Sequence, residues 1–285
     1  MSTFHKKERI LILGASGFIG YMIYKELCVY FNTFGTYNTP RKKFEKNTHF
    51  LQYKVEEDDI IALINTVKPS IIISAIRGNF SAQILAHRHL CEYIIKHPCK
   101  LIFLSSANAF DAYSNYPSYE YDKTLSQSIY GHFKIQIENM LLRLPPKNIA
   151  ILRIPMVFGA QSPRVNAIKT LSQNNEAIEI YPNLIMNVTN ATKLTQQIHY
   201  IINRKKYGIY HLGSKDLVYH EDFIKDIVRL LNIKAPLYKM IHTTDNDRYL
   251  AILPKEKQLP KHLQITSEIV LEDITNKTDT LKRNT

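Results

Sequence analysis

A tyrosine and a lysine stand four residues apart in Tyr130-Gly131-His132-Phe133-Lys134, at the start of a stretch with helical periodicity. Residues i and i+4 lie on one face of a helix, so the phenol and the ammonium can point to the same side. A free tyrosine has a pKa of about 10 and exchanges protons poorly at neutral pH, whereas a neighbouring ammonium favours the phenolate. The spacing therefore favours a pair that moves a proton to or from a bound substrate.

Two hydroxyl side chains, those of Ser105 and Ser106, follow directly on the apolar run Leu101–Leu104. In an open α/β sheet, ligands bind beyond the carboxyl ends of the strands. Hydroxyls at that position can hydrogen-bond a substrate carbonyl, although serine also caps helices and shapes turns. Turn formation accounts for one serine, but it does not account for the order and distance of the pair relative to Tyr130 and Lys134.

A glycine-rich turn, Gly14-Ala15-Ser16-Gly17-Phe18-Ile19-Gly20, joins the strand-like run Arg9–Leu13 to a helical stretch. The spacing is a variant of the dinucleotide fingerprint with one more residue between the first two glycines. Gly14 allows the tight turn, Gly17 lets backbone N–H groups approach a pyrophosphate, and Gly20 lets helix and strand pack closely. The helix N-terminus adds its dipole and unpaired donors for the anion. Motif and context together predict a nucleotide cofactor.

The segment after the second predicted strand bears on the type of cofactor. A nicotinamide cofactor without a 2′-phosphate usually meets a carboxylate there, but this chain has Thr39, Arg41 and Lys42 and no acid. Arg41 and Lys42 can bind a 2′-phosphate, or they can form a solvated basic loop. The sequence therefore favours NADP and leaves NAD open.

Strands and helices alternate over the first 155 residues and would position these groups. Apolar runs predict strands at Ile10–Leu13, Thr33–Tyr37, Ile71–Ser74, Leu101–Leu104 and Ile149–Ile154. Amphipathic stretches predict helices at about 18–30, 57–67, 81–96 and 124–143. This alternation predicts an α/β fold with a doubly wound parallel sheet, covered by helices on both faces.

The pattern is less regular after Pro155. It predicts helices at about 163–173, 190–203 and 220–231, strands at 177–181 and Gly208–Leu212, and a loop-rich region at 235–265. We expect residues 1–155 to form a Rossmann domain, with 191–212 returning to it. Residues 156–190 and 213–275 are expected to form a smaller substrate-binding lobe, with substrate in the cleft between the two parts. The polar residues 276–285 are predicted to be a flexible tail.

Composition excludes several classes of protein. Apolar residues make up 45% and charged residues 22%, which is a globular balance. The 37 basic against 25 acidic residues give a net charge of +12, but the basic clusters are short, which argues against nucleic-acid binding. No run approaches the ~18–20 apolar residues of a membrane helix. The charged N-terminus lacks a signal-peptide core, so we expect a cytoplasmic protein. Its three cysteines and scattered histidines predict neither a disulfide framework nor a metal site.

Three motifs, taken in order, resemble those of the extended short-chain dehydrogenase/reductases: Gly14-x-x-Gly17-x-x-Gly20, Ser106-Ala107-x-x-Phe110 and Tyr130-x-x-x-Lys134. Further segments are similar to the sugar-nucleotide reductase branch that contains dTDP-4-dehydrorhamnose reductase. They are Tyr119-Glu120-Tyr121-Asp122, Tyr130-Gly131-x-x-Lys134-x-x-x-Glu138, Arg153–Gly159 and Gly208–Leu212. The resemblance covers roughly residues 8–232.

The resemblance implies roles for individual residues. Ser106, or Ser105 as the alternative, would hold and polarise the substrate carbonyl. Tyr130 would pass the proton, and Lys134 would favour the phenolate and hydrogen-bond the nicotinamide ribose. Ala75, Ile76, Arg77 and Ile154 would line the cofactor site, and Ser105, Ala107, Asn108, Arg153 and Met156 would bind substrate. Relatives often form homodimers through the helix of the Tyr–Lys pair and its neighbour, and we expect a homodimer here.

Some segments depart from the family pattern. Lys54-Val55-Glu56-Glu57 stands where the family often has Asp-Val-x-Asp, the segment of the usual adenine contact. Ser105-Ser106-Ala107 and Tyr181–Val188 also differ from the reductase branch, near the expected substrate. The function expected is NAD(P)H-dependent reduction of a 4-keto-deoxy sugar nucleotide, in nucleotide-sugar metabolism and polysaccharide biosynthesis. Two alternatives stay open: a sugar-nucleotide epimerase with tightly bound NAD, and a non-catalytic regulatory subunit that binds NAD(P).

Overall fold

The computed structural model describes residues 8–243 and 245–275. Within these ranges the chain forms two compact units, which are considered separately. The first comprises residues 8–106, 129–152 and 195–210, and the second comprises 107–128, 153–194 and 211–275. The predicted tail, 276–285, lies outside the described residues. The division into a cofactor domain and a substrate lobe stays a prediction.

The strands, in chain order, are β1 (Arg9–Leu13), β2 (Asn32–Tyr37), β3 (Phe50–Gln52), β4 (Ile71–Ser74), β5 (Lys100–Ser106), β6 (Ile149–Ile154), β7 (Met156–Phe158), β8 (Ile178–Ile180), β9 (Leu184–Met186), β10 (Val188–Asn190), β11 (Gly208–His211), β12 (Val218–Tyr219), β13 (Tyr238–Met240) and β14 (Arg248–Leu250). The α-helices are α1 (Phe18–Leu27), α2 (Lys42–Glu45), α3 (Ile60–Val67), α4 (Phe80–Lys96), α5 (Ile129–Leu141), α6 (Pro163–Gln173), α7 (Ala191–Asn203), α8 (His220–Leu230) and α9 (Ser267–Thr275). Short 3₁₀ helices lie at Ala107–Phe110, Pro146–Asn148 and Lys261–Leu263. Within the described ranges, no helix combines the length and apolar character needed to cross a membrane.

A seven-stranded sheet in the order β11-β6-β5-β4-β1-β2-β3 organises the first unit. The pairings of β1 with β2 and β4, of β2 with β3, and of β4 with β5 are parallel. The order 3-2-1-4-5-6 within this sheet is that of a doubly wound Rossmann fold. The predicted fold class is therefore confirmed.

Central strands carry apolar side chains on both faces because helices cover both sides of the sheet. Residues Ile10–Leu13 and Ile71–Ile73 are buried throughout. The core on one side of this sheet includes Leu11, Leu101 and Ile137. Packing of α5 against this core leaves its Tyr130 end at the carboxyl ends of the strands.

Side-chain caps explain where several helices begin. The carboxylate of Asp59 accepts hydrogen bonds from the backbone N–H groups of Ile61 and Ala62, which starts α3. Asn79 caps α4 in the same way, and Ser162 followed by a proline starts α6. Each cap satisfies donors that the first turn of a helix leaves unpaired.

The sequence missed short strands in the second unit. The region 235–265 is mostly loop, as predicted, but it also contains β13, which pairs with β8, and β14, which pairs with β9. These strands are three residues long and partly exposed, so they carry no detectable periodicity and depend on their partners. In the first unit, α5 begins at Ile129 rather than near 124. The core of this unit includes Phe158, Ile180 and Phe223.

Candidate active site

Three polar side chains follow one another at four-residue intervals along one face of α5: Tyr130, Lys134 and Glu138. The Nζ of Lys134 lies 5.6 Å from the centroid of the Tyr130 ring. Tyr130 is 40% exposed, whereas Lys134 is 7% exposed and Glu138 is buried. Tyr130 thus lies at the surface of the first unit, while the charged side chains behind it are enclosed.

Lys134 is held by backbone and aromatic groups. Its Nζ donates a 2.9 Å hydrogen bond to the carbonyl oxygen of Leu104 and lies 4.6 Å from the centroid of the Phe103 ring. Burial lowers the pKa of Lys134 to about 8; the charge of Glu138 opposes this shift and the charge of Arg77 adds to it. The pKa of Lys134 therefore lies close to neutral pH, whereas the pKa of an ordinary lysine lies well above it.

The end of β5 carries the two predicted serines. The Ser105 hydroxyl donates a 2.5 Å hydrogen bond to a carboxylate oxygen of Glu138, and both residues are buried. Ser106 is the last residue of β5, and the next residue begins the 3₁₀ helix Ala107–Phe110. The bonds from Leu104 to Lys134 and from Ser105 to Glu138 thus join the end of this strand to the face of α5. Ser106, Tyr130 and Lys134 are brought to the same edge of the sheet.

An aromatic ring that the sequence did not single out contacts the candidate acid. The Phe80 ring lies 6.1 Å from the Tyr130 ring and stacks on Phe133 at 4.5 Å. Phe80 begins α4 directly after its cap, Asn79. The Phe80 ring is thus a packing partner of both aromatic side chains at the start of α5. The contact arises from the packing of α4 against α5, and no local sequence pattern indicates it.

The glycine turn has the geometry that its motif predicts. Gly14 has a φ of +78°, and a Cβ there would lie 2.6 Å from the carbonyl oxygen of Ala75. A Cβ on Gly20 would overlap the carbonyl oxygen of Gly14. Gly17 is the N-cap of α1, which has no side-chain cap. The first N–H groups of this helix, at Phe18 and beyond, are therefore not covered by a capping side chain.

Thr36 on β2 accepts two hydrogen bonds from this turn. The backbone N–H of Gly14 donates to the Thr36 hydroxyl at 2.8 Å, and that of Ser16 donates to the Thr36 carbonyl at 3.1 Å. Thr36 is buried. Sequence reasoning missed this residue because its role depends on the parallel pairing of β1 with β2.

A buried histidine braces the predicted cofactor segment Ala75-Ile76-Arg77. The Nδ1 of His87 lies 2.7 Å from the Gln83 carbonyl, so this nitrogen donates, and Nε2 then accepts from Ser74 at 2.9 Å. The Gln83 amide donates to the carbonyl of Gly78. Both ends of the segment, Ser74 and Gly78, are thereby fixed to α4.

Glu56 lies against the end of the same segment. Its carboxylate accepts a 2.8 Å hydrogen bond from the N–H of Asn79, and a Cβ on Gly78 would collide with it. The Glu56 carboxylate thus supports the turn at Gly78 and Asn79.

The basic loop after β2 is exposed at Thr39, Arg41 and Lys42. Lys43, the next residue, lies 3.8 Å above the centroid of the Tyr21 ring. Exposure agrees with both the phosphate-binding and the solvated-loop interpretation, so the role of Arg41 and Lys42 stays a prediction.

The predicted residues of the second unit are mostly enclosed. Arg153 is 2% exposed; it donates to the carbonyl of Glu120 at 2.9 Å and lies 3.2 Å from Nε2 of His211. Its guanidinium lies 4.7 Å from the centroid of the Phe110 ring. These contacts give Arg153 a structural role within the unit, and its predicted contact with substrate is untested. Ala107 and Ile154 are buried, and Asn108 and Met156 are partly buried.

These observations fit a dinucleotide. The turn is too crowded for side chains at Gly14 and Gly20, its helix is uncapped by a side chain, and a buried ammonium lies beside an exposed phenol. Together with the doubly wound sheet, they define an extended short-chain dehydrogenase/reductase.

Comparison with known proteins places the chain more narrowly. The chain belongs to the family described as the RmlD substrate binding domain, which matches residues 8–258. It is 26% identical over 263 residues to the dTDP-4-dehydrorhamnose reductase of Aggregatibacter actinomycetemcomitans, covering 83% of this chain and 85% of that relative. The family resemblance drawn from the motifs is confirmed.

Two further proteins are similar to this chain, one in fold and one in sequence. The dTDP-4-dehydrorhamnose reductase of Bacillus anthracis, solved in complex with NADP, has the same fold with a TM-score of 0.77 at 20% identity, over 97% of this chain and 100% of that one. The methionine adenosyltransferase 2 subunit beta of Danio rerio is 28% identical over 164 residues, which are 53% of this chain and 49% of that relative.

Proposed function

We propose that this protein is an NAD(P)H-dependent reductase of a 4-keto-deoxy sugar nucleotide, of the dTDP-4-dehydrorhamnose reductase type. The observation that carries the proposal is the arrangement on α5. The buried ammonium of Lys134 lies 5.6 Å from the ring of the exposed Tyr130 and bonds to the strand that ends in Ser106. The family match and the relative of 26% identity support the class of substrate.

The side chains have complementary tasks in this reaction. When bound, NADPH supplies the hydride to the carbonyl carbon. The Ser106 hydroxyl donates a hydrogen bond to the carbonyl oxygen and holds it near Tyr130. Tyr130 gives its phenolic proton to that oxygen, so the C=O bond becomes an alcohol. The fixed charge of Lys134 stabilises the phenolate that is left.

Residues of the first unit, together with Ile154 at the end of β6, would hold the dinucleotide. The pyrophosphate would lie at the turn that contains Ser16 and at the first N–H groups of α1. Arg41 and Lys42 would bind a 2′-phosphate, and Lys134 would donate to the nicotinamide ribose. The other residues proposed to line the cofactor are Gly14, Gly17, Phe18, Ile19, Gly20, Thr39, Ala75, Ile76, Arg77, Tyr130 and Ile154.

An assay of the purified protein with NADPH and dTDP-4-dehydrorhamnose tests this proposal. Net oxidation of NADPH with formation of the reduced sugar is expected, and Tyr130→Phe should abolish it while leaving NADPH binding intact. An epimerase would instead retain NAD through purification and interconvert sugars without net cofactor consumption. Turnover that is unchanged in Tyr130→Phe would refute the assigned mechanism.

A regulatory subunit is the second candidate. It is supported by the match over 164 residues to a relative that is named as a subunit. A nucleotide-binding fold is compatible with this candidate, since the fold does not by itself dictate turnover. It predicts NADP binding without reduction of any keto-sugar, together with a stable protein partner. Stabilisation by NADP in a thermal melt, combined with the turnover assay above, separates the two candidates.

We further propose a homodimer that uses the groove between α4 and α5. Apolar and basic side chains line this groove, among them Arg88, Ile95, Met140 and Leu144. Ile95 is 68% exposed and contributes to the apolar part of this groove, and an exposed apolar patch with a polar rim is typical of protein interfaces. Ile95→Asp is expected to convert a dimer into a monomer in light scattering, and a monomeric wild type would overturn the proposal.

The cytoplasm is proposed as the compartment. Cys28, Cys91 and Cys99 are all free thiols in the structure. Free thiols fit a reducing compartment, where disulfides are rare. Fractionation of cells that express the full chain would test this.

A further inference from the structure

Glu138 is the third polar residue on the face of α5, and no step of the proposed reaction uses it. Its carboxylate accepts the 2.5 Å hydrogen bond from the Ser105 hydroxyl, and its side chain is 1% exposed. A carboxylate loses much hydration when buried, so its position requires compensating partners. Glu138 lies one helical turn beyond Lys134, so its charge can act on the ammonium of that lysine.

The charged and titratable groups around Lys134 come from three elements. Glu138 and Tyr130 lie on its own helix, Arg77 follows β4, and His87 faces it from α4. His87 is neutral, because burial lowers its pKa to about 4 and because its Nε2 accepts the Ser74 hydroxyl. Among the groups that act on Lys134, Arg77 favours loss of its proton and Glu138 opposes it.

The same helix holds two successive residues of β5. Lys134 binds the carbonyl of Leu104, and Glu138 binds the hydroxyl of Ser105. Ser106 follows immediately. Loss of either hydrogen bond would allow the end of β5 to move. This end carries Ser106, whose hydroxyl is the candidate for binding the substrate carbonyl.

We propose that Glu138 is a positioning residue with two linked tasks: it keeps the buried ammonium of Lys134 charged, and through Ser105 it fixes the end of β5 so that Ser106 faces Tyr130. The first task concerns the folded protein by itself. The second rests on the proposed reductase function. Loss of the charge at Glu138 would leave burial and Arg77 unopposed, so Lys134 would lose its proton at a lower pH.

Two variants separate charge from hydrogen bonding. Glu138→Gln keeps the size of the side chain and an oxygen that accepts from Ser105, but removes the charge. Ser105→Ala removes the hydrogen bond and keeps the charge. Lysine labelled at the ε-carbon reports protonation by NMR in the full chain without cofactor, and Lys134→Met assigns the signal.

The Lys134 midpoint is expected to fall by about one pH unit or more in Glu138→Gln and to move much less in Ser105→Ala. An unchanged midpoint in Glu138→Gln would overturn the first task. Glu138→Asp retains the charge and serves if the glutamine variant does not fold. Its midpoint is expected to stay within about half a unit of wild type, and a fall as large as a full unit would contradict the proposal.

The second task is tested by turnover. In Glu138→Gln the fall of kcat/KM at high pH should begin at lower pH, because a neutral Lys134 no longer supports proton release from Tyr130. In Ser105→Ala the pH profile should keep its shape while kcat drops. A pH profile of Ser105→Ala that shifts like that of Glu138→Gln would refute the division of tasks. If no keto-sugar is reduced by the wild type, the proposed function fails, but the NMR titration still decides the first task.

Discussion

The ammonium of Lys134 donates a 2.9 Å hydrogen bond to the carbonyl oxygen of Leu104, two residues before Ser106. This bond ties the helix that carries Tyr130 to the strand that carries the candidate carbonyl-binding hydroxyl. Because the acceptor is a backbone oxygen, the link depends on the lysine alone and not on the rotamer of a second side chain. The position of the ammonium is therefore set by the fold before any ligand binds.

Lys134→Met is expected to lower kcat for NADPH-dependent reduction by about 10²- to 10⁴-fold, since it removes both the charge and the tie to Leu104. Steady-state kinetics with the keto-sugar check this. Lys123→Met, on an exposed loop outside the described contacts of the site, is the matched control. Wild-type kcat in Lys134→Met, in a protein that melts normally, would remove this lysine from the mechanism.

Gly14→Ala is expected to destabilise the protein by about 1–3 kcal/mol, because alanine is strained at a φ of +78° and its Cβ would lie 2.6 Å from the carbonyl of Ala75. Gly17→Ala is the control, since its φ is −76° and its Cβ would lie 3.3 Å from the Gly14 carbonyl. Urea denaturation measures both, and titration with NADP should show weaker binding in Gly14→Ala. Equal stability of the two variants would contradict the geometry of the turn.

Stability is expected to fall as the pH is lowered from 7 to 5. Burial lowers the pKa of His87 from 6.5 to about 4, so the unfolded chain binds its proton first and each step below pH 6.5 favours unfolding. His87 alone contributes about 2 kcal/mol to this loss. His211 and His220, with pKa values lowered to about 3 and 4, act in the same direction.

Urea denaturation of His87→Asn at both pH values isolates the contribution of His87. The variant is less stable at pH 7, since it loses packing, but its stability should change less with pH. A variant with the same pH dependence as wild type would show that this imidazole is not buried in its neutral form.

The double variant Arg41→Ala and Lys42→Ala is expected to weaken NADP binding by about 10- to 100-fold and to leave NAD binding unchanged, because charge-assisted bonds to a phosphate are lost. Isothermal titration calorimetry measures both constants. Lys43→Ala is the control, since its ammonium lies over the Tyr21 ring. Parallel losses for NADP and NAD would mean that the basic loop does not select the 2′-phosphate.

Much of the first unit could be predicted because its signals are local. The runs Ile71–Ser74 and Ile149–Ile154 coincide with β4 and β6, since uninterrupted β-branched and apolar residues mark buried strands. In the second unit, the helix Pro163–Gln173 was also predicted with the same bounds, and Ser162 and a proline mark its start. Short strands such as β13 and β14 were missed because three residues are too few to show an alternation of apolar and polar side chains.

The candidate site divides in the same way. The spacing of Tyr130 and Lys134 predicted a shared face, which the structure shows. The supporting contacts of Thr36, Phe80 and Glu138 join residues that are at least 20 positions apart, and only the packed sheet brings them together. Sequence patterns find residues that repeat at short intervals; long-range hydrogen bonds leave no such pattern.

The most direct test of the account is the oxidation of NADPH by wild-type protein and Tyr130→Phe with dTDP-4-dehydrorhamnose. The account predicts one NADPH consumed for each keto-sugar reduced by the wild type. It predicts loss of at least about 10²-fold in kcat for Tyr130→Phe, with NADPH affinity retained. A wild type that binds NADPH but reduces no keto-sugar, or a phenylalanine variant as active as wild type, would contradict it.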